Sequence, residues 1–255
     1  MKSLLIVLIL FSNSALAQDI DLGPPISGYE FMELSTRELQ DDSFLNPAYF
    51  MIEKGQALWK KIYPEKSMSC QSCHLDIAED MRGVTASYPK YDETLSSVLN
   101  IEMKINSEIK NKLGGDPLPF ESEELLALTT LIGAQSHNLP MNAENTAKTA
   151  PMIQRGKTIF ETRRGLLNLS CKNCHQDNWG NKLRGDVISQ GQVNAFPIFR
   201  LTWGEVGSRQ RMFTWCMDAV KSEPFGYGSI DYLALELFLS VRGEGLLIET
   251  PGVRR

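Results

Sequence analysis

"KGQALWKKIYPEKSMSCQSCH" (54–74) and "RGKTIFETRRGLLNLSCKNCH" (155–175) align without a gap at an offset of 101 residues. Lys54 matches Arg155, Gly55 matches Gly156, Trp59 faces Phe160, and Ser69 matches Ser170. Each copy ends in C-x-x-C-H, the pattern of covalent haem attachment. Two thioethers hold the porphyrin edge, and the adjacent histidine turns its imidazole onto the iron. The motif residues are Cys70, Cys73 and His74 in the first copy and Cys171, Cys174 and His175 in the second. His74 and His175 are the expected proximal ligands of two covalently bound haem c groups.

Two other readings of the cysteines are open. Five cysteines in an exported chain are compatible with disulfides and one left over. A four-cysteine zinc site is the second, but zinc ribbons keep their knuckles within about 12–20 residues of each other. The chain has three histidines, and two of them directly follow a C-x-x-C pair. That coincidence favours haem.

The chain begins like a secretory signal. Lys2 supplies the positive start, "LLIVLILF" the apolar stretch, and Ala15-Leu16-Ala17 the small-residue cleavage site. The apolar run is shorter than the roughly 20 residues a membrane span needs. Cleavage after Ala17 is expected, leaving an exported protein with no membrane span, most simply in a bacterial periplasm. The net charge of −5 gives no sign of a nucleic-acid partner.

A repeat of this length predicts two homologous units. The expected fold is mainly α: two tandem cytochrome c-type domains with much irregular loop. Residues 1–17 are the signal, 18–145 the first domain and 146–255 the second, the boundary falling near 139–152 where "LPMNAENTAKTAP" is polar and bracketed by prolines. "ESEELLALTTLIGAQ" (121–135) and "IDYLALELFLSVR" (230–242) have helical spacing, the latter with Ser229 as its cap. Between 176 and 205, glycine, asparagine and proline predict irregular chain, and strand signals are scarce.

Cys216 in "RMFTWCMDAV" is left over. Met212, Trp215, Cys216, Ala219 and Val220 recur at helical spacing and predict one apolar face. Periodicity by itself favours a buried structural cysteine. The other reading is a distal haem ligand held as thiolate. Arg209 and Arg211 lie nearby, either to stabilise a thiolate or recruit an anion, or simply as a solvated face.

"TRRGLLNLSCKNCHQDNWGNKLRGDVISQGQVNAFPIFRLTWGEVGS" and "EPFGYGSIDYLALELFLSVRGEGLLIETPGVRR" closely resemble the SoxA family, the dihaem subunit of the SoxAX cytochrome of bacterial sulfur oxidation. The likeness covers most of the mature chain. It implies that Cys216 ligates the second haem, carries an extra sulfur as a persulfide and stands at the active site. It implies an L-cysteine S-thiosulfotransferase, which joins thiosulfate to a cysteine of the carrier SoxYZ and passes electrons to SoxX and a soluble acceptor. Arg209 and Arg211 correspond loosely to the family's basic residues before this cysteine.

One departure stands out. Many dihaem relatives use a second lone cysteine as distal ligand of the first haem, yet no cysteine lies between Cys73 and Cys171. The corresponding segment, "LNIEMKINSEIKNKL" (99–113), offers Met103 and Glu108. His137, the remaining histidine, is the first candidate for that position, ahead of Met103 or water; its other reading is a surface histidine ending a helix. Two other functions fit a dihaem cytochrome: a thiosulfate dehydrogenase forming tetrathionate, and a carrier of electrons without a catalytic site.

Overall fold

The computed structural model describes residues 23–255. The signal segment 1–17 and the expected start at Gln18 lie outside the described residues. In chain order the elements are α1 (Leu34–Asp41), α2 (Tyr49–Lys60), α3 (Cys70–Cys73), α4 (Ile77–Asp80), β1 (Lys90–Asp92), β2 (Ser97–Leu99), α5 (Ile101–Glu108) and α6 (Glu123–Ala134). There follow α7 (Ala150–Glu161), α8 (Cys171–His175), β3 (Lys182–Leu183), β4 (Asp186–Val187), β5 (Ile198–Arg200), β6 (Glu205–Gly207), α9 (Arg209–Ala219), α10 (Ile230–Arg242) and β7 (Gly252–Arg254). The fold is mainly helical, with short strands and long connections.

The sequence repeat reappears as geometry. Helix α2 packs on α6, and α7 packs on α10. Both pairs close tightly at a glycine. A Cβ on Gly55 would lie 2.5 Å from the Ala127 carbonyl oxygen, and one on Gly156 would lie 2.0 Å from that of Ala234. No side chain fits either place, so the backbones meet directly. After each first helix a bridge closes a small loop, Tyr63 with Met68 and Arg164 with Leu169. Ser67 and Asn168 occupy the same left-handed turn position, at φ 51° and 48°. Trp59 and Phe160 are both buried beneath the motif that follows them.

The two expected long helices form. Ser122 caps α6 through the Leu125 amide, and Ser229 caps α10 through the Tyr232 amide. Helix α6 is buried almost all round, because it lies between α2 and α5. The segment at the expected boundary is tied to both halves. Met141 is buried and exchanges backbone hydrogen bonds with Gly245 and Leu246, while the Asn142 amide donates to the Ala86 carbonyl.

Two expectations are corrected. The segment 176–205 is not wholly irregular: β3 and β4 form a hairpin, and β5 is the centre of a three-stranded sheet ordered β6-β5-β7. Strand β5 pairs antiparallel with β6 and parallel with β7, with Ile198 opposite Gly252. Its parallel partner comes from the C-terminal tail, which local sequence pattern does not reveal. Helix α9 also turns a different face inward. Its buried residues are Arg209, Gln210, Phe213 and Met217, whereas Trp215 is 45% exposed. The reason is a buried carboxylate on α10. Glu236 accepts from Gln210 and from Asn100, and Arg209 lies 3.9 Å away, so polar residues are drawn into the core.

Candidate functional site

The second C-x-x-C-H motif is one short helix, α8. Ser170 caps it: its hydroxyl accepts from the Asn173 amide at 3.3 Å, and its own amide donates to the Asn173 side chain at 3.1 Å. This reciprocal box fixes the turn that presents Cys171, Cys174 and His175. The same device recurs at Ser69, whose amide donates to the Ser72 hydroxyl at 2.9 Å. No disulfide joins any two of the five cysteines. Among the described residues, no three His, Cys, Asp or Glu side chains gather as a cage for a bare metal ion.

His175 is held in one orientation. Its Nδ1 lies 2.9 Å from the Ser189 carbonyl oxygen, which only accepts, so Nδ1 carries the proton and Nε2 keeps its lone pair free. Burial pulls its pKa below the usual value, which favours the neutral ring that binds iron. Arg242 braces the same turn, donating to the carbonyls of His175 and Gln190. Gly191 must stay a glycine here: its φ is +70°, and a Cβ would lie 2.8 Å from the imidazole Cγ.

Cys216 joins this motif. Its charge interactions are with Cys171, Arg200 and Cys174, so the spare cysteine stands at the second motif. Part of the residue is accessible, but its sulfur is so enclosed that burial pushes the thiol up to about 12. Unaided, it keeps its proton at neutral pH; bonding to a metal would hold it as thiolate.

The arginines fall differently from the sequence expectation. Arg209 points into the core, donating to the Ser240 hydroxyl at 3.0 Å and facing Glu236. Arg211 is ion-paired with Glu205 and lies over the Trp203 ring. The cation that acts on Cys216 is Arg200 of β5, which the sequence reading missed. A single arginine in the aromatic stretch "FPIFRLTW" was the available signal.

The first motif borders an open hollow. His74 sits 5.8 Å from the Trp59 ring, beside a cavity of about 240 Å³ lined by residues including Gln56, Trp59, Gln71, Leu75, Ile77 and Leu131. Leu75, directly after His74, is 82% exposed. A hollow with Trp59, Leu75, Ile77 and Leu131 in its wall, next to two thiols and an imidazole, fits a covalently attached haem. The donor set at the second motif fits one as well. His137 is exposed at the end of α6, with Nδ1 3.2 Å from the Thr250 carbonyl oxygen. Met103 instead packs in the cluster that contains Trp59 and Cys70.

Comparison with known proteins decides the family. SoxA subunits of L-cysteine S-thiosulfotransferase from Pseudaminobacter salicylatoxidans and Paracoccus pantotrophus are each 36% identical to this chain. The alignments cover 90% and 89% of it, and 81% and 78% of those proteins. The chain belongs to the SoxA family. Residues 54–141 match the family described as SoxA/TsdA, cytochrome c domain. The crystal structure of SoxXA from P. pantotrophus contains a chain that superposes with a TM-score of 0.87 at 35% identity. The match covers 91% of this chain and 87% of that one. As a SoxA-family member the chain carries covalently bound haem c, and no helix among the described residues is long and apolar enough to cross a membrane.

Proposed function

We propose that this chain is the catalytic SoxA-type subunit of a periplasmic L-cysteine S-thiosulfotransferase, with two haem c groups in tandem modules, 18–145 and 146–255, and a SoxX-type cytochrome as partner. The reaction joins thiosulfate to a cysteine of a SoxYZ-type carrier. One S–S bond forms, the carrier thiol loses its proton, and two electrons leave. Haem c supplies, when attached, the acceptor for those electrons.

The observation that carries this reading is the neighbourhood of Cys216, a fifth cysteine beside the second attachment motif with an arginine acting on its sulfur. Cys171 and Cys174 would hold the porphyrin, and His175 would offer Nε2 with its ring fixed by Ser189. Cys216 presents the reacting sulfur. Arg211 holds one edge of the site through Trp203, and Arg209 anchors the start of α9 from inside. A dianionic substrate and a thiolate both call for nearby cations.

The test is Cys216→Ala. Both haems should stay attached, one should lose its thiolate-type low-spin spectrum, and turnover of thiosulfate with SoxYZ should fall by roughly 10³-fold or more, as expected for loss of a reacting group. Retained turnover with an unchanged resonance spectrum would return Cys216 to a packing role. The family description also includes TsdA, so thiosulfate dehydrogenase is the second reading. Thiosulfate and an electron acceptor without any carrier separate the two, because only a dehydrogenase then forms tetrathionate.

A further inference from the structure

Arg200 has an unusual setting. Its guanidinium carbon lies 4.1 Å from the ring centroid of Trp215 and 5.3 Å from that of Trp203. Trp203 in turn carries Arg211 at 4.7 Å. The four side chains form a ladder of alternating cations and indoles, and Trp215 is the residue before Cys216. Stacking of this kind fixes the guanidinium plane and leaves its edge to make hydrogen bonds.

The two cations of the ladder differ in what they have left to offer. Arg211 spends its charge on Glu205. Among the described residues, no carboxylate forms an ion pair with Arg200. Its Nε donates to the Thr202 hydroxyl at 2.9 Å and its Nη1 to the Met212 sulfur at 3.1 Å, both neutral acceptors. Nη2 makes no hydrogen bond to the described protein. Asp186 is near enough to be felt, but its own ion pair is with Arg255. Burial pulls the Arg200 pKa down, so the group is a partly desolvated cation without a counter-ion. Such a charge is costly unless an anion completes it.

We propose that Arg200 is a substrate-binding residue of the Cys216 site: its free Nη2 edge takes an oxyanion group of a small sulfur dianion and turns the sulfane end of that molecule toward Cys216. The proposal rests on the reading of Cys216 as the reaction centre. A carboxylate of the haem itself would satisfy the same guanidinium chemistry, and the experiment separates the two sources.

The measurements use the haem-loaded complex with its cytochrome partner. Charge-assisted hydrogen bonds of this kind correspond to about 10- to 100-fold in binding. In Arg200→Gln the KM for thiosulfate should rise by that factor while kcat changes by less than about threefold, the signature of lost binding. Arg200→Lys should recover part of the loss, since it restores a point charge without the planar fork. Sulfate, an unreactive dianion, should compete with thiosulfate in the parent and lose that inhibition in Arg200→Gln. Low-spin resonance signals should stay as in the parent, since both haems keep their ligands. An unchanged KM and unchanged sulfate inhibition overturn the proposal. A shifted haem potential with an unchanged KM also overturns it, assigning Arg200 to a haem carboxylate. Should Arg200→Gln fail to fold, Arg200→Lys decides: an unaltered KM there refutes a role that depends on the fork. Cys216→Ser, assayed alongside, keeps the two ideas apart. Retained turnover in that variant refutes the reading of Cys216, whereas lost turnover with a normal KM in Arg200→Gln refutes only the role of Arg200.

Discussion

The His175 Nδ1 proton is donated to the Ser189 carbonyl across 2.9 Å, and Gly191, two residues beyond that carbonyl, packs against the same imidazole. One short loop therefore fixes both the tautomer and the tilt of the ring. Gly191→Ala places a Cβ 2.8 Å from the imidazole Cγ and strains a φ of +70°. The expected result is a change in the low-spin resonance signal of the second haem, with the first haem's signal unchanged. Two unaltered signals would mean that the loop yields without moving His175.

The glycine contacts between helices allow a stability prediction. Gly156→Ala forces α7 away from the Ala234 carbonyl, and Gly55→Ala does the same to α2 at Ala127. Overpacking of this kind costs typically about 1–3 kcal/mol, occasionally more. Gly156→Ala should be the more damaging, because its clash of 2.0 Å is closer than 2.5 Å at Gly55. Denaturant melts of the haem-loaded variants measure the order.

These contacts also show what the sequence revealed and what it hid. The gap-free repeat carried over into matching helices, bridges and turn residues, because the bridge, the turn residue and the attachment motif of each copy lie within one short stretch of chain. Helix α10 and its Ser229 cap were legible for the same reason. The buried face of α9 was not. Arg209 and Gln210 point inward only because Glu236, on another helix, waits there. Strand β5 escaped notice because its parallel partner lies at residues 252–254. Arg200 was hidden with it, since its place beside Cys216 comes from that sheet and not from spacing along the chain.

The buried carboxylates predict a pH dependence. Glu102 faces a cavity of about 10 Å³, room for about one water, together with Arg209 and Glu236, and its Oε2 has no hydrogen-bond partner. Burial, then the Glu236 charge, push its pKa up to about 8 from the usual 4.5, against the pull of Arg209. Between those values the folded protein holds a proton that the unfolded chain has released. Stability contributed by this group is therefore full below pH 4.5 and falls as pH rises toward about 8. Thermal melts across that window should show the decline, and Glu102→Gln should flatten it. An equal slope in the variant would place the titration elsewhere.

The first haem should lack a thiolate ligand. Four of the five cysteines belong to the attachment motifs, and Cys216 stands with the second. A thiolate lowers the potential of a c-type haem relative to a neutral nitrogen or thioether ligand. The first haem should therefore have the higher potential, and electrons leaving the Cys216 site would run downhill toward it. The sequence put His137 ahead of Met103 as its ligand, but their settings favour the reverse. His137 is exposed at a helix end, whereas Met103 packs in the cluster holding Trp59 and Cys70. A pyridine haemochrome assay should count two haems per chain, and redox titration should resolve two potentials. Low-temperature resonance then separates the candidates: Met103→Leu should alter one low-spin signal and His137→Ala neither. Loss of a signal in His137→Ala with Met103→Leu unchanged would restore the histidine, and a second thiolate-type signal would defeat the prediction as a whole.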